Sequence, residues 1–209
     1  MKGPLSVLLL AAGESRRLRG MKPLLPFGKL RTSPFGQATL LEYQLDCLTA
    51  LPEVGEVLVV LGHEPERLLP LLEGRRGVRA VVHQGYGEGP ASSLRAGLRG
   101  LSAGVQAILI IAVDQPRPRW VLERLIAEHL QGKAPITAPA YRGRRGHPTN
   151  FAAALLPELL AISEGGWGLR EVMSRHRGEV LDVELDTPAV LLDINTEEDY
   201  QEALRLLRV

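Results

Sequence analysis

The sequence has little of several things, and each shortage removes a class of function. A single cysteine, Cys47, allows neither an internal disulfide nor a cysteine-based metal site within one chain, and it sits in an apolar helical pattern that suits a reducing cytoplasm. Aromatic residues make up only 4%, and 25 Lys and Arg against 24 Asp and Glu leave a formal charge of +1, which opposes a nucleic-acid-binding module. The longest apolar run near the start, Val7 to Ala12, is far too short to span a membrane, and no cleavage site follows a long apolar core. The five histidines show no metal-ligand spacing, and no persuasive Ser/His/Asp or Cys/His arrangement is present.

What is present is an ordinary globular composition, 45% apolar and 23% charged over 209 residues, enough to bury a sizeable core as one domain, 1–209. The organising stretch runs from Leu8 to Phe27. Val7 to Ala11 reads as a strand buried on both faces, Gly13 permits a tight turn, and Ser15, Arg16, Arg17, Arg19 and Lys22 follow at once. Small residues let backbone N–H groups approach phosphate oxygens while the cations neutralise their charge, so the loop suits polyphosphate. A basic surface turn fits the same composition, since neither the dinucleotide glycine fingerprint nor a Walker loop is present.

The rest alternates. Lys29 to Ala38 reads as a surface excursion, and Thr39-Leu-Leu-Glu42 is a capping box opening a helix that ends near Pro52. Glu56 to Leu61 predicts a strand, Pro65 to Leu72 a helix and Val78 to His83 a strand. Gln84 to Gly89 breaks the chain, and Pro90 to Leu98 is a helix with Ser92 and Ser93 near its positive end, a second candidate anion or base contact. Gln106 to Val113 is the most apolar strand and delivers Asp114; Trp120 to Leu130 is helical. A hairpin insertion over about 135–152, with a basic turn at Arg142 to Gly146, predicts a cover over the substrate. Two short helices, Leu155 to Ile162 and Leu169 to His176, precede strands at Val180 to Leu185 and Val190 to Ile194, and Thr196 caps the last helix.

This βα rhythm predicts an α/β fold, a three-layer α/β/α arrangement around a mostly parallel, doubly wound, Rossmann-like sheet with ligands beyond the strand C-termini. Asp114 and Asp193 both fall there. Two carboxylates suit Mg²⁺, although each Asp alone reads more readily as a cap or turn residue. On a strand Asp193 and Asn195 share a face while Ile194 turns into the core.

Leu10-Ala-Ala-Gly-x-Ser-x-Arg with Lys22 resembles the opening motif of nucleotidyltransferases that activate small phosphorylated molecules. It looks most like the molybdenum cofactor cytidylyltransferases, L-A-A-G-x-S-x-R-M-G-x-x-K, with Leu18 for the Met and Arg19 for the Gly. Asp114-Gln-Pro is similar to the family's Asp-Met-Pro, Pro90 to Leu98 to its Met-Ser-Ser-Ser-Leu-Arg-Ala-Gly-Leu, Gly143 to Phe151 to its Gly-x-x-Gly-His-Pro-x-x-Phe, Gly168-Leu-Arg170 to Gly-Ala-Arg, and Asp193-Ile-Asn-Thr to Asp-Ile-Asp-Thr. The matches run in order over nearly the whole chain.

The resemblance implies a Mg²⁺-dependent enzyme that transfers CMP from CTP to the phosphate of molybdopterin and releases pyrophosphate. It implies Lys22, Arg17 and Asp114 as catalytic residues, and Leu10, Ala11, Ala12, Gly13, Ser15, Arg17, Lys22, Ser92 and Ser93 around the nucleotide. Asp114 and Asp193 would hold the metal, and His147, Arg170 and Asn195 would meet the second substrate. Ala12 stands where related guanylyltransferases tend to have Gly, which favours cytosine. The implied setting is cytoplasmic, with no nucleic acid and no membrane, and with a molybdoenzyme or its chaperone as a partner. A guanylyltransferase or another small-molecule nucleotidyltransferase remains an alternative, as does a non-catalytic nucleotide-binding adaptor.

Overall fold

The computed structural model describes residues 3–14, 18, 20–28, 37–165 and 168–209. Its centre is strand β1, Leu5–Ala11, which is paired on both sides because it is apolar on both faces. Leu5, Val7, Leu9 and Ala11 pack into one core and Leu8 into the other, the alternation a pleated strand imposes. On one side β1 runs parallel to β2, Val54–Leu61, with Leu8 opposite Leu58; on the other it runs parallel to β4, Ala107–Ala112, with Leu8 opposite Ile110. Strand β3, Val78–Val82, extends the sheet beyond β2.

Beyond β4 the direction reverses. Strand β7, Thr149–Ala152, lies antiparallel between β4 and β5, Ile136–Tyr141, while the two-residue β6, Arg144–Arg145, folds back on the end of β5. Strand β8, Val180–Glu184, runs parallel to β5 on its other side. The result is an eight-stranded, mostly parallel sheet. Helices α1 (Leu40–Thr49), α3 (Arg119–Gln131) and α6 (Glu197–Leu207) pack on the Leu5–Val7–Leu9 face through Leu41, Leu45, Leu122, Leu125 and Ala203. Helices α2 (Pro90–Arg99), α4 (Leu156–Leu160) and α5 (Leu169–Arg175) cover the other face through Leu94, Leu98, Leu159 and Val172. This is the three-layer α/β/α fold expected.

Local chemistry explains the ends. Thr39 and Glu42 form the capping box at α1, with the Thr39 N–H donating to Glu42 Oε2 at 2.9 Å and the Glu42 N–H to Thr39 Oγ1 at 3.3 Å. Thr196 and Asp199 form the same reciprocal pair at α6. The β5–β6 turn places Arg142 and Gly143 at φ of 51° and 74°, the left-handed pair that matches a two-residue hairpin to strand twist.

Three expectations are corrected. The 135–152 hairpin is not a cover, because β7 lies inside the sheet and satisfies its backbone against β4 and β5. Val190 to Ile194 is not a strand: a 3-10 turn, Pro188–Leu191, leads into an extended segment whose carbonyls are taken by Arg117 and by the His147 N–H. Pro65 to Leu72 forms two short 3-10 turns, since Pro70 has no N–H and keeps Leu69 from a regular α-helical position. The break expected at Gln84 to Gly89 is a 3-10 turn, Gln84–Glu88, between β3 and α2. Of the Lys29 to Ala38 excursion, residues 29–36 lie outside the described residues.

Candidate active site

The C-terminal ends of β1 and β4 open onto a cavity of about 340 Å³, walled by Leu10, Ala12, Gly13, Lys22, Ser93 and Asp114 together with Tyr86, Gly89 and Pro90. These residues meet because β1 and β4 are neighbours in the sheet, so the loops that leave them leave side by side. Ala11 stays behind in the ladder opposite Leu61, buried and outside the cavity wall. Ser15 and Arg17 lie outside the described residues.

Lys22 is positioned by the segment after it. Lys22–Leu24 forms a 3-10 turn, the Leu40 N–H donates to Leu25 O at 2.8 Å, and the Phe27 ring meets Tyr43 edge-on with centroids 5.0 Å apart. The loop is thereby fixed to the start of α1. Its ammonium donates to Asp114 Oδ2 and to Asn195 Oδ1, each at 2.9 Å. The lysine thus ties the end of β4 to the segment before α6.

Asp114 is held by its backbone, since its carbonyl accepts the Ile194 N–H at 2.8 Å. Ile194 is fully buried and carries Asp193 and Asn195 on either side of it. Asp193 Oδ1 is buried without a hydrogen-bond partner among the described residues. A buried carboxylate oxygen left in this way is costly unless something else satisfies it.

Behind the carboxylates lies Arg117, only 1% exposed. Its guanidinium donates to four carbonyls, those of His147 (2.8 Å), Pro116 (2.8 Å), Leu192 (2.9 Å) and Val190 (3.1 Å). Burial lowers its pKa to about 10, against the pull of Asp193 and Asp114, so it remains a cation at neutral pH. It binds three backbone segments together and supplies a fixed positive charge beneath two anions. Arg117 stands three residues after Asp114 in Asp-Gln-Pro-Arg, but an arginine after a strand reads as a surface cation until its burial is known.

The reversal of β7 has a chemical result: an antiparallel strand brings its start, not its end, to the edge where β4 ends. His147 and Thr149 arrive there, facing α5, and with Arg170, Met173, Arg175 and Arg177 they wall a second cavity of about 710 Å³. Burial lowers the His147 pKa, which Asp193 and Asp114 raise and Arg117 and Arg170 lower further, leaving the ring neutral. His147 and Arg170 therefore share one cavity, while Lys22 and Asp114 face the other.

The start of α2 departs from expectation. The Glu164 carboxylate accepts the N–H groups of Ala91, at 3.2 Å, and of Ser92, so an internal anion already sits at the helix's positive end. Ser92 Oγ is spent on the Gly85 and Gly89 carbonyls and on His83 Nε2, leaving Ser93 as the serine of the cavity wall. Nothing near Glu164 in the sequence marks it as a cap, because its partners lie some seventy positions earlier in the chain.

Comparison with known proteins fits this arrangement. The family described as MobA-like NTP transferase domain matches residues 7–180. No curated protein matches the chain. Among solved structures it is similar to Rv0371c from Mycobacterium tuberculosis, 26% identical with a TM-score of 0.78 and all of both chains covered. A complex of Rv0371c with manganese matches at 25% identity and a TM-score of 0.74, covering 97% of this chain and 98% of that one. A nucleotidyl transferase from Methanothermobacter thermautotroptrophicus matches at 26% and 0.77, with 98% of each covered. The 4-diphosphocytidyl-2C-methyl-D-erythritol synthase of Anaerococcus prevotii is alike in fold alone, at 18% identity and a TM-score of 0.75, covering 99% of this chain and 97% of that one.

Proposed function

The chain belongs to the family of MobA-like NTP transferase domains, and from that premise we propose that it transfers CMP from CTP to the terminal phosphate of molybdopterin. The observation that carries the proposal is the Lys22 ammonium, held by Asp114 and Asn195 in a cavity at the ends of β1 and β4. A cation held there would stabilise a departing polyphosphate.

In the reaction an acceptor phosphate oxygen bonds to the α-phosphorus of CTP, the bond from that phosphorus to the β-phosphate oxygen breaks, and pyrophosphate leaves. The acceptor's second pKa is about 6, so it is mostly dianionic at neutral pH and needs no side-chain base. Lys22, with Arg17 by resemblance, stabilises the charge that grows on pyrophosphate, and the Gly13 turn lets backbone N–H groups reach the phosphates. His147 and Arg170 hold the acceptor in the larger cavity.

Mg²⁺ is part of the proposal. Among the described residues no group of three or more His, Cys, Asp or Glu is assembled as a metal centre. The donors here are Asp114 and the unsatisfied Oδ1 of Asp193, hard oxygens that fit an ion completing its shell with phosphate and water, with the amide oxygen of Asn195, which also accepts from Lys22, as the alternative to Asp193. Such an ion would neutralise phosphate charge in the transition state. The manganese complex of Rv0371c lends support.

No helix among the described residues is long and apolar enough to cross a membrane. We assign the reaction to the cytoplasm, where Cys47, its pKa raised by burial to about 11, stays a thiol. The test is incubation with each NTP, Mg²⁺ and molybdopterin, followed by pyrophosphate detection. CTP should exceed GTP by at least about tenfold in kcat/KM, and equal or better turnover with GTP would make the protein a guanylyltransferase instead.

A further inference from the structure

We propose that Tyr86 is the wall on which the nucleobase stacks, so that the nucleotide lies across the ends of β2, β1 and β4 with its base toward β2 and its phosphates toward Lys22. The inference rests on the nucleotidyltransferase reading and adds the direction and the means of base binding.

The cavity has two chemically different ends. Lys22, Asp114 and the Gly13 turn form one, where β1 and β4 finish; Tyr86 and Pro90 form the other, toward β2, with Leu10 and Ala12 between them. From β2 to β4 is two strand spacings, roughly 10 Å. That matches the distance from a nucleobase to its α-phosphate, so a nucleotide with its phosphates at Lys22 places its base beside Tyr86.

The ring is built into this place. A Cβ on Gly62, the residue after β2, would lie 2.6 Å from Tyr86 Cβ, 2.7 Å from its Cγ and 2.6 Å from the Ala12 carbonyl, so glycine alone lets the tyrosine close against the strand end. The next residue, His63, donates its N–H to Ala12 O at 3.1 Å and presents its ring to Tyr86, with centroids 6.2 Å apart and Nδ1 at 3.5 Å from the phenol oxygen. Tyr86 is thereby braced on one side and faces the cavity on the other.

The start of α2 takes little part in reading the edge of a base. Ser92 spends its hydroxyl inside the protein and Glu164 takes the first free N–H groups of α2, so the side-chain hydroxyls on the wall are those of Ser93 and Tyr86, beside the Glu14 carboxylate. The aromatic face on this wall binds a base by stacking, which tolerates different bases. The choice between cytosine and guanine then falls to the backbone near Ala12, and Tyr86 supplies affinity.

Calorimetry on the full chain with Mg²⁺, titrating CTP, GTP and inorganic tripolyphosphate, tests this with Tyr86→Ala and Tyr86→Phe. Tyr86→Ala should weaken CTP and GTP alike by about five- to a hundredfold, the range for loss of one base–aromatic stack. Tripolyphosphate binding should stay within about twofold, which also reports an intact fold, and Tyr86→Phe should keep CTP affinity within about threefold. Unchanged CTP binding in Tyr86→Ala, or an equal loss for CTP and tripolyphosphate, would overturn the stacking role while leaving the nucleotidyltransferase reading intact. Wild-type protein that binds neither CTP nor tripolyphosphate would overturn both.

Discussion

Replacing Lys22 by Ala separates what that lysine does for the fold from what it does for the reaction. Its side chain is 15% exposed and that of Asp114 25%, so the pair is partly screened. Arg117 remains beneath Asp114 and Asp193 when the ammonium is gone, and it continues to offset their charge. Loss of a partly screened pair under those conditions costs about 1 kcal/mol, a fall in Tm of roughly 2–4 °C for a chain of this size. The chemical step is affected far more. Pyrophosphate gains charge only as it leaves, and removing one preorganised donor to such a group lowers kcat by about 10²- to 10³-fold, or roughly 3–4 kcal/mol. Thermal melts beside pyrophosphate release at saturating CTP measure both quantities. A raised KM with unchanged kcat would mean that Lys22 binds only ground-state nucleotide, and a collapse of Tm in step with activity would make it a structural strut.

Asp114→Asn should nearly abolish turnover, Asp193→Asn should raise the Mg²⁺ concentration for half-maximal rate, and Asn195→Asp should be tolerated; a normal requirement in Asp193→Asn beside a raised one in Asn195→Ala would transfer the second ligand to Asn195. Glu164→Ala removes the acceptor from the first turn of α2 and should cost about 1 kcal/mol in stability while raising the KM for CTP several-fold, with Glu164→Gln restoring most of both; an unchanged KM in urea-stable protein refutes the link. At the opposite edge of the sheet Glu56 is buried, which opposes ionisation, yet Arg79, the Ser102 N–H and the Ser6 and Ser102 hydroxyls hold its pKa at about 2 instead of 4.5. A depressed carboxylate stabilises above its unfolded pKa and loses that contribution as pH falls from 4.5 toward 2. The full shift is worth about 3 kcal/mol and, with half-exposed Arg79 screened by water, about 2 kcal/mol. Urea unfolding of Glu56→Gln should therefore show a weaker acid dependence than wild type over that range, and identical slopes would refute the assignment.

How legible these features were depended on the distance over which each is determined. Thr39–Glu42 and the Thr196 cap close on neighbours within one turn, so short-range chemistry announces them. Strand β1 was legible because burial on both faces demands an unbroken apolar run, and the gathering of Gly13, Lys22 and Asp114 follows once β1 and β4 are adjacent. The segment from Val190 to Ile194 looks like a strand because its side chains alternate, and Ile194 does turn inward; its backbone partners, however, are supplied by Arg117 and His147 from elsewhere in the chain. The same holds for β7, which reads as half of a local hairpin and does pair with β5 but also bonds to β4 on its other side, and for Glu164, which caps a helix far behind it. Pro70 was visible throughout, and its effect on Pro65 to Leu72 was a local signal outweighed by apolar periodicity.

The central place of β1 governs the order in which the polypeptide can acquire structure. A ribosome releases Leu5–Ala11 about a hundred residues before Ala107–Ala112, which alone completes one flank of that strand, and until then its unpaired backbone edge stands open. The long closure makes the β1–β4 pairing a slow step, and a chain paused before residue 107 presents an unpaired strand to its neighbours. A chain interrupted there also lacks Asp114, so nascent protein acquires its site carboxylate and its protection from aggregation with the same strand.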